Sequence, residues 1–406
     1  MRRSVTFTLI LAGASLAWRG TPRAAEGPLS LRDAIEEAVR AHPGLAAARL
    51  ARPVAAAAID VARQRPNPDL VFEETKETPS DALMLTFPIE TAGKRGTRIR
   101  LAEAGAGTSE AELARTEMEL RNDVRRAYYA LCAAERRARE AEALSGLAER
   151  AREAAKQRFA SGDTSRLDLL QAELAASQTA NDADGARASV TSARAALNVL
   201  LGRSPEAPTG TDGDLGAGTV PDLPAAMALA DAHSTELAVL DGRIREQNER
   251  AALARAQRWP DLGLTGGVTH GDPEEFDWGW RAGLSLTLPL FHHHAAEATL
   301  EEATLSQLQA QRTAQESSLH GTVVSAEAIA SSRRTQYLRY RDEILPKAAE
   351  VETMAEDAFR SGQTNLLAMI QTATGIRDLR NKAIEAGVEY QNALADLEGA
   401  VGAPLP

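Results

Sequence analysis

The 406-residue sequence has a single cysteine, Cys132, which excludes an intrachain disulfide and a four-cysteine zinc site. It lies in "YYALCAAE", a helical stretch where a small buried residue is the expected role. Aromatic residues are scarce as well, at 4%. A chain this poor in Phe, Trp and Tyr lacks the side chains that fill large compact cores, and its many alanines suit long, closely packed helices. Positive charge is in deficit: the formal net charge of −11 argues against a nucleic-acid partner, because binding the phosphate backbone needs a basic surface. Beyond residue 25 no run approaches the roughly 20 apolar residues of a membrane helix, so any crossing must use strands. HExxH, nucleophile-elbow, paired-carboxylate and redox CxxC patterns are missing, so neither an enzyme nor a cofactor is expected. "AGKRG" from Ala92 is no phosphate loop: it lacks the leading glycine and places Arg95 where Ser or Thr should hold magnesium.

At the N-terminus, Arg2 and Arg3 precede an apolar run from Val5 to Ala17 and then small residues, the pattern of an export signal over residues 1–25. Small residues at Ala17 and at Ala24-Ala25 leave two cut sites open. No cysteine closes the run, so no lipid anchor on the mature N-terminus is expected.

The remaining sequence is written twice, which decides the architecture. "LRDAIEEAVRAHPGL" from Leu31 pairs with "LPAAMALADAHSTEL" from Leu223 at an offset of 192, which also aligns the "PDL" at Pro68 with that at Pro260. "LTFPI" from Leu85 matches "LTLPL" from Leu286, and "FASGDT" from Phe159 matches "FRSGQT" from Phe359. The later offset of 200 carries Leu197 and Gly202 onto Leu397 and Gly402. The units are assigned to residues 26–205 and 223–406, with a Gly-, Pro- and Asp-rich connector at 206–222.

Within each unit the period runs from helical to alternating and back. A helix is expected over 30–64, ending at Pro66 and Pro68, and its counterpart stops before Pro260. Leu83, Leu85, Phe87 and Ile89 then alternate with Ala82, Met84, Thr86 and Pro88; Ala282, Leu284, Leu286, Leu288 and Leu290 alternate with Arg281, Gly283, Ser285, Thr287 and Pro289. Runs of about nine to eleven residues fit tilted membrane-crossing strands. With partner strands across turns at Thr78–Asp81 and His270–Asp277, two hairpins are expected. A soluble sheet would need something to cover its apolar face. Long helices follow, proline-free from Leu101 to Phe159 and interrupted only by Pro346 from Ala295 to Phe359. Some 60 helical residues reach roughly 90 Å. Val124, Ala127, Leu131, Ala134, Ala138 and Ala141 follow a heptad-like seam, predicting coiled-coil packing with close approach.

Four motifs carry a family resemblance: "LRDAIEEAVRAHPGL" from Leu31, "FPIETAGKRGTRIRLAEA" from Phe87, "RFASGDTSRLDLLQAEL" from Arg158 and "AFRSGQTNLLAMIQTAT" from Ala358. In this order, duplicated, the chain resembles the TolC-type outer membrane efflux proteins over nearly its whole length, and "ETAGKRGTRIR" most resembles their CzcC-like heavy-metal branch. The resemblance implies a mainly α fold with transmembrane β: a long α-helical barrel, and four strands per protomer in a homotrimeric twelve-stranded β-barrel. It implies a passive exit duct in the cell outer membrane, with a large periplasmic portion. An inner-membrane pump of the resistance-nodulation-division type and a periplasmic adaptor would deliver its cargo. It places adaptor docking at the helical-hairpin tips, with Arg158, Gly162, Arg166 and Leu167 in the first copy and Phe359, Gly362 and Leu366 in the second, and puts the gate nearby at Asp168. The gate aspartates of the family fall here on Ala368 and Gln371, so any acidic ring is sparser. Either glycine could serve only to reverse the chain.

Two other groups stand out. Gly93, Lys94, Arg95, Arg98 and Arg100 follow an apolar strand, where basic side chains meet lipid phosphates or a neighbouring helix. His292, His293 and His294 follow the last strand, with His293 four residues before Glu297, a spacing that could share a metal. Polar residues at an exposed helix start are the plainer reading, because three consecutive histidines cannot share one helical face. The cargo stays open among metal cations, small organic toxicants in a drug-efflux channel and a polypeptide in type I secretion. A periplasmic coiled-coil adaptor is the competing class.

Overall fold

The computed structural model describes residues 28–76, 79–271, 277–361, 363–364 and 366–405, without the side chains of residues 366 and 367. The export signal, part of both hairpin turns, and Gly362 lie outside the described residues. The first unit comprises helices α1 (Leu31–Ala41), α2 (Pro43–Arg49) and α3 (Ala51–Arg63), strands β1 (Asp69–Glu74) and β2 (Asp81–Ile89), and helices α4 (Lys94–Ala160) and α5 (Arg166–Leu200). The second comprises α6 (Leu223–His233), α7 (Thr235–Gln257), β3 (Leu262–His270), β4 (Trp278–Leu286), α8 (Ala295–Arg339), α9 (Leu345–Arg360) and α10 (Leu366–Val401). At 67 residues, α4 is roughly 100 Å long.

The expected helix over 30–64 is broken twice, and at the first break a residue able to cap stands inside it. His42 ends α1 in extended conformation and its Nδ1 accepts the Leu45 amide at 3.3 Å. In the second copy Ser234, at the aligned position, does the same: its Oγ accepts the Leu237 amide at 3.3 Å. An N-cap acceptor for an orphan amide starts a new helix in a new direction. The chain ends of the repeats dock against this elbow. Gly202 and Gly402, at φ +70° and +71°, lie so close to the carbonyls of Ala41 and His233 that a Cβ would sit 2.7 and 2.2 Å from them. The two copies therefore close in the same way.

Alanine lets the long helices approach. The expected α4 seam is buried at Val124, Leu131, Ala134, Ala138 and Ala141 and half-buried at Ala127, and it continues through Leu144, Ala148, Ala151 and Ala155. Around the waist, Val124, Tyr128 and Leu131 pack with Leu45, Leu197, Leu201, Leu215 and Tyr337; a second cluster joins Ala226, Ala230, Leu319, Val323, Leu397 and Val401. The connector between the repeats is part of this waist. Cys132 is buried, with its Sγ 3.2 Å from the Gly213 carbonyl, and Gln391 donates to the carbonyls of Leu215 (3.0 Å) and Ala217 (2.7 Å). Pro346 does not end its helix. The preceding turn, Tyr340–Ile344, widens to π geometry, which accommodates a residue that cannot donate.

The strands form one antiparallel meander in the order β1-β2-β3-β4, so the two expected hairpins are joined edge to edge by β2–β3 pairing. β4 is displaced from the expected run. It begins at Trp278 and ends at Leu286, leaving Leu288 and Leu290 outside the sheet. Alternation of apolar residues continued past the true end, and Pro289, which has no N–H for a ladder, stands in that segment.

Candidate functional site

The register assigns each strand residue to a face, because directly paired residues of an antiparallel sheet share one. One face carries Leu70 and Phe72, Leu83, Leu85, Phe87 and Ile89, Leu262, Leu264 and Val268, and Trp278, Trp280, Leu284 and Leu286. Within the chain it is uncovered: Leu70, Trp280 and Leu284 are 66%, 84% and 70% exposed. The opposite face is mostly small or polar, with Thr86, Gly263, Thr265, Gly267, Arg281, Gly283 and Ser285 beside the apolar Val71 and Met84; the Thr86 and Thr265 hydroxyls meet at 2.9 Å. Apolar on one side, small and polar on the other, is the pattern of a barrel wall between lipid and water. Exposed Trp278 and Trp280 lie at one end of the sheet, and exposed Trp259 and Phe291 flank the other. Aromatic side chains suit the two membrane interfaces. Sequence reasoning missed these aromatics, although their placement at strand ends was the signal for them. Among the described residues β1 and β4 each have only one partner strand. Open edges of this kind cannot stay unpaired in a bilayer.

Where the strands pass into α4, the basic motif is spent on the protein itself. Gly93, left-handed at φ +71°, turns the chain into the helix. The Lys94 ammonium meets Asp261 at 2.8 Å. Arg95 donates to the carbonyl of Arg63 (2.8 Å), and Arg98 to those of Ala62 (3.1 Å) and Gln64 (2.9 Å), while Arg98 also holds Glu90 at 2.5 Å. These carbonyls end α3, where unpaired acceptors and the negative end of the helix dipole attract cations. Arg100 pairs with Glu249 on α7 at 3.0 Å. Of the two expected partners, a neighbouring helix takes Arg95, Arg98 and Arg100, while Lys94 pairs with Asp261 in the turn before β3.

At the far end of α4, Gly162 (φ +83°) reverses the chain and the Asp163 amide returns to the Arg158 carbonyl at 2.8 Å. The second copy repeats the bond from Gln363 to Ala358, also at 2.8 Å. The expected gate residue Asp168 is the third residue of α5. Its carboxylate accepts from the Ser165 amide (3.1 Å), the Ser165 hydroxyl (2.7 Å) and the Thr164 hydroxyl (3.0 Å), and its own amide donates to Ser165. Hydrogen bonds from Ser165 and then Thr164, helped by nearby Arg158, hold this carboxyl below its ordinary 3.8. Ala368 stands at the equivalent place in the second copy. Arg158, Asp168 and Phe359 line a cleft of about 520 Å³ between the two tips. Arg166 is exposed, Leu366 opens α10, and Leu167 leads an exposed stripe with Leu170 and Leu174. Its three-and-four spacing is the signal of a helix face awaiting another helix. Just above the tips, Arg377 on α10 meets Asp182 on α5 at 2.9 Å, and Arg380 meets Glu140 on α4 at 3.0 Å.

The histidines are not arranged as the sequence suggested. His292 and His294, rather than His293, face Glu297: His292 Nε2 lies 2.9 Å and His294 Nδ1 3.9 Å from its Oε1. The expectation assumed helical spacing from His293, but the helix begins only at Ala295.

The family model described as outer membrane efflux protein matches residues 34–203 and 226–403. The cobalt-zinc-cadmium resistance protein CzcC of Cupriavidus metallidurans is 27% identical over 379 residues, covering 92% of this chain and 88% of that protein. Among solved structures, a membrane protein from Pseudomonas aeruginosa superposes with a TM-score of 0.74 at 20% identity, covering 92% of this chain and 90% of that one. The outer membrane protein VceC from Vibrio cholerae does so with a TM-score of 0.72 at 16% identity, covering 93% and 97%. At such identities the structures carry the fold alone, a helical barrel joined to a β-barrel.

Proposed function

This chain belongs to the outer membrane efflux protein family, a family of channels and not of enzymes, and we propose that it is the exit duct for heavy-metal cations in a tripartite pump. The observation that carries the reading is the four-stranded sheet, with one face of exposed Leu, Phe and Trp, one mostly of Gly, Thr and Ser, and, among the described residues, an open edge on either side. Three such sheets closing edge to edge give a twelve-stranded barrel in the outer membrane. The helices then form a periplasmic conduit, with the exposed Leu170 and Leu174 packing against a neighbouring protomer.

The tips would dock the periplasmic adaptor through Arg158, Gly162, Arg166, Leu167, Phe359, Gly362 and Leu366, and Asp168 would stand at the gate. A resistance-nodulation-division pump in the inner membrane would supply the energy. Cation cargo is supported by kinship with a cobalt-zinc-cadmium resistance protein and by the acidic balance of the chain, which attracts cations into a lumen. The test is growth of a deletion strain, with and without the restored gene, in cobalt, zinc or cadmium. Loss of tolerance to these ions is expected. Loss of tolerance only to organic toxicants, or failure to secrete a polypeptide, would overturn the cargo and leave the channel.

A further inference from the structure

The two repeats pass from strand to long helix over different backbones, with Ala92 and Gly93 both left-handed before α4 and His294 alone before α8, and they secure the junction with different chemistry. Gly93 and His294 occupy matching positions, each the residue before the helix and each left-handed, at φ +71° and +52°. Glycine adopts this conformation freely, whereas a side chain with a Cβ is strained in it.

In the first copy, cations clamp the junction: Lys94 holds Asp261 and Arg98 holds Glu90. The second junction, Thr287 to Leu300, contains no Lys or Arg at all. What it has instead is His292, His294 and Glu297, whose nearest ligand atoms all lie within 4.8 Å of one another. The two imidazole rings meet edge to face with centroids 4.3 Å apart. Donors about 2.0–2.2 Å from a zinc-type ion in tetrahedral array stand roughly 3.3–3.6 Å apart. The separations of 2.9 and 3.9 Å from Glu297 Oε1 bracket that value. Small side-chain rotations would equalise them, and His292 and Glu297, 70% and 40% exposed, are free to make them.

The geometry points to a divalent transition-metal site at the β4–α8 junction, formed by His292 Nε2, His294 Nδ1 and a Glu297 carboxylate oxygen. Two imidazoles and one carboxylate select zinc, cobalt, nickel or copper over magnesium and calcium, which require mostly oxygen donors. The ion supplies the positive charge that Lys94 and Arg98 supply in the first copy. It ties the segment after β4 to the first turn of α8. His293 takes no part. The site does not rest on the cargo proposed above, since a resident ion can brace a channel for any cargo.

The test is zinc titration of the purified full-length protein in detergent, followed by calorimetry. About one zinc per chain is expected for the wild type, and His293→Ala should match it within twofold. His292→Ala, Glu297→Gln and His294→Gly should each weaken binding at least tenfold. Glycine is the residue that the left-handed backbone prefers, so His294→Gly removes the ligand while easing the fold, and its circular dichroism should equal that of the wild type. Equal zinc binding in wild type and His294→Gly, or equal losses from His293→Ala and His292→Ala, would overturn the proposal.

Discussion

Replacing Arg125 with methionine should loosen the waist of the molecule more than any surface change, because it strands a buried carboxylate. The guanidinium lies between α4 and α10, with Nη1 2.5 Å from Glu398 Oε1 and with Nε and Nη2 3.3 and 3.1 Å from Gln391 Oε1. Glu398 also accepts the Leu405 amide at 3.0 Å. Arg125 and Glu398 are each 8% exposed, and Gln391 is fully enclosed. Removing one partner of such a pair costs about 3–5 kcal/mol, whereas replacing both by apolar groups is close to neutral. Hydrogen exchange is the suitable assay, because a membrane assembly need not unfold in two states. In Arg125→Met, amides of α4 and α10 beside the pair should lose roughly two to three and a half orders of magnitude of protection, at about 1.4 kcal/mol per factor of ten. The double variant Arg125→Met/Glu398→Met should regain most of it. A loss below tenfold in the single variant, or a double variant no better than the single, would refute the reasoning.

Gly202→Ala and Gly402→Ala should each lower the melting temperature. The left-handed backbone alone costs about 1–2 kcal/mol for alanine, and the Ala41 and His233 carbonyls block the new methyl. Arg98→Met should cost about 1–3 kcal/mol by leaving the Ala62 and Gln64 carbonyls at the α3 end without their charged donor, read as faster exchange in the last turn of α3. Asp168 has a folded pKa below its ordinary 3.8, so its contribution is complete above 3.8 and is lost as pH falls through the folded value. Exchange from the first turn of α5 should thus be insensitive to protonation of this group near neutrality and accelerate only below pH 3.8, and Asp168→Asn should abolish that step.

The long elements were legible because their signals are long. Alanine spacing over α4 and matching motifs 192 to 201 residues apart cannot arise from local chance. Short-range competition was what the pattern hid. The break at His42 depends on one ring nitrogen reaching one amide, a cap that reads as ordinary helix sequence. The β4 boundary was overrun because Leu288 and Leu290 keep the period after Pro289 has ended the ladder. The basic strand exit was recognised as a unit, but its partners at Ala62 to Gln64 lie more than thirty residues away and only folding brings them close. His292 and His294 meet because the chain there is not yet helical, which spacing rules assuming a helix could not see. At the tips, Gly162 was visible as a chain reversal, while the capping role of Asp168 needed the Ser165 partner.

The central claim is that this sheet is a membrane-barrel wall, and β4 tests it most directly. Single cysteines from Trp280 to Leu286, introduced into a Cys132→Ala background in cells, would be labelled with a water-borne and a lipid-dissolved maleimide. Positions 280, 282, 284 and 286 should react from lipid and positions 281, 283 and 285 from water, following the paired faces of the sheet. Reaction of all seven with the water-borne reagent, with no alternation, would contradict the account.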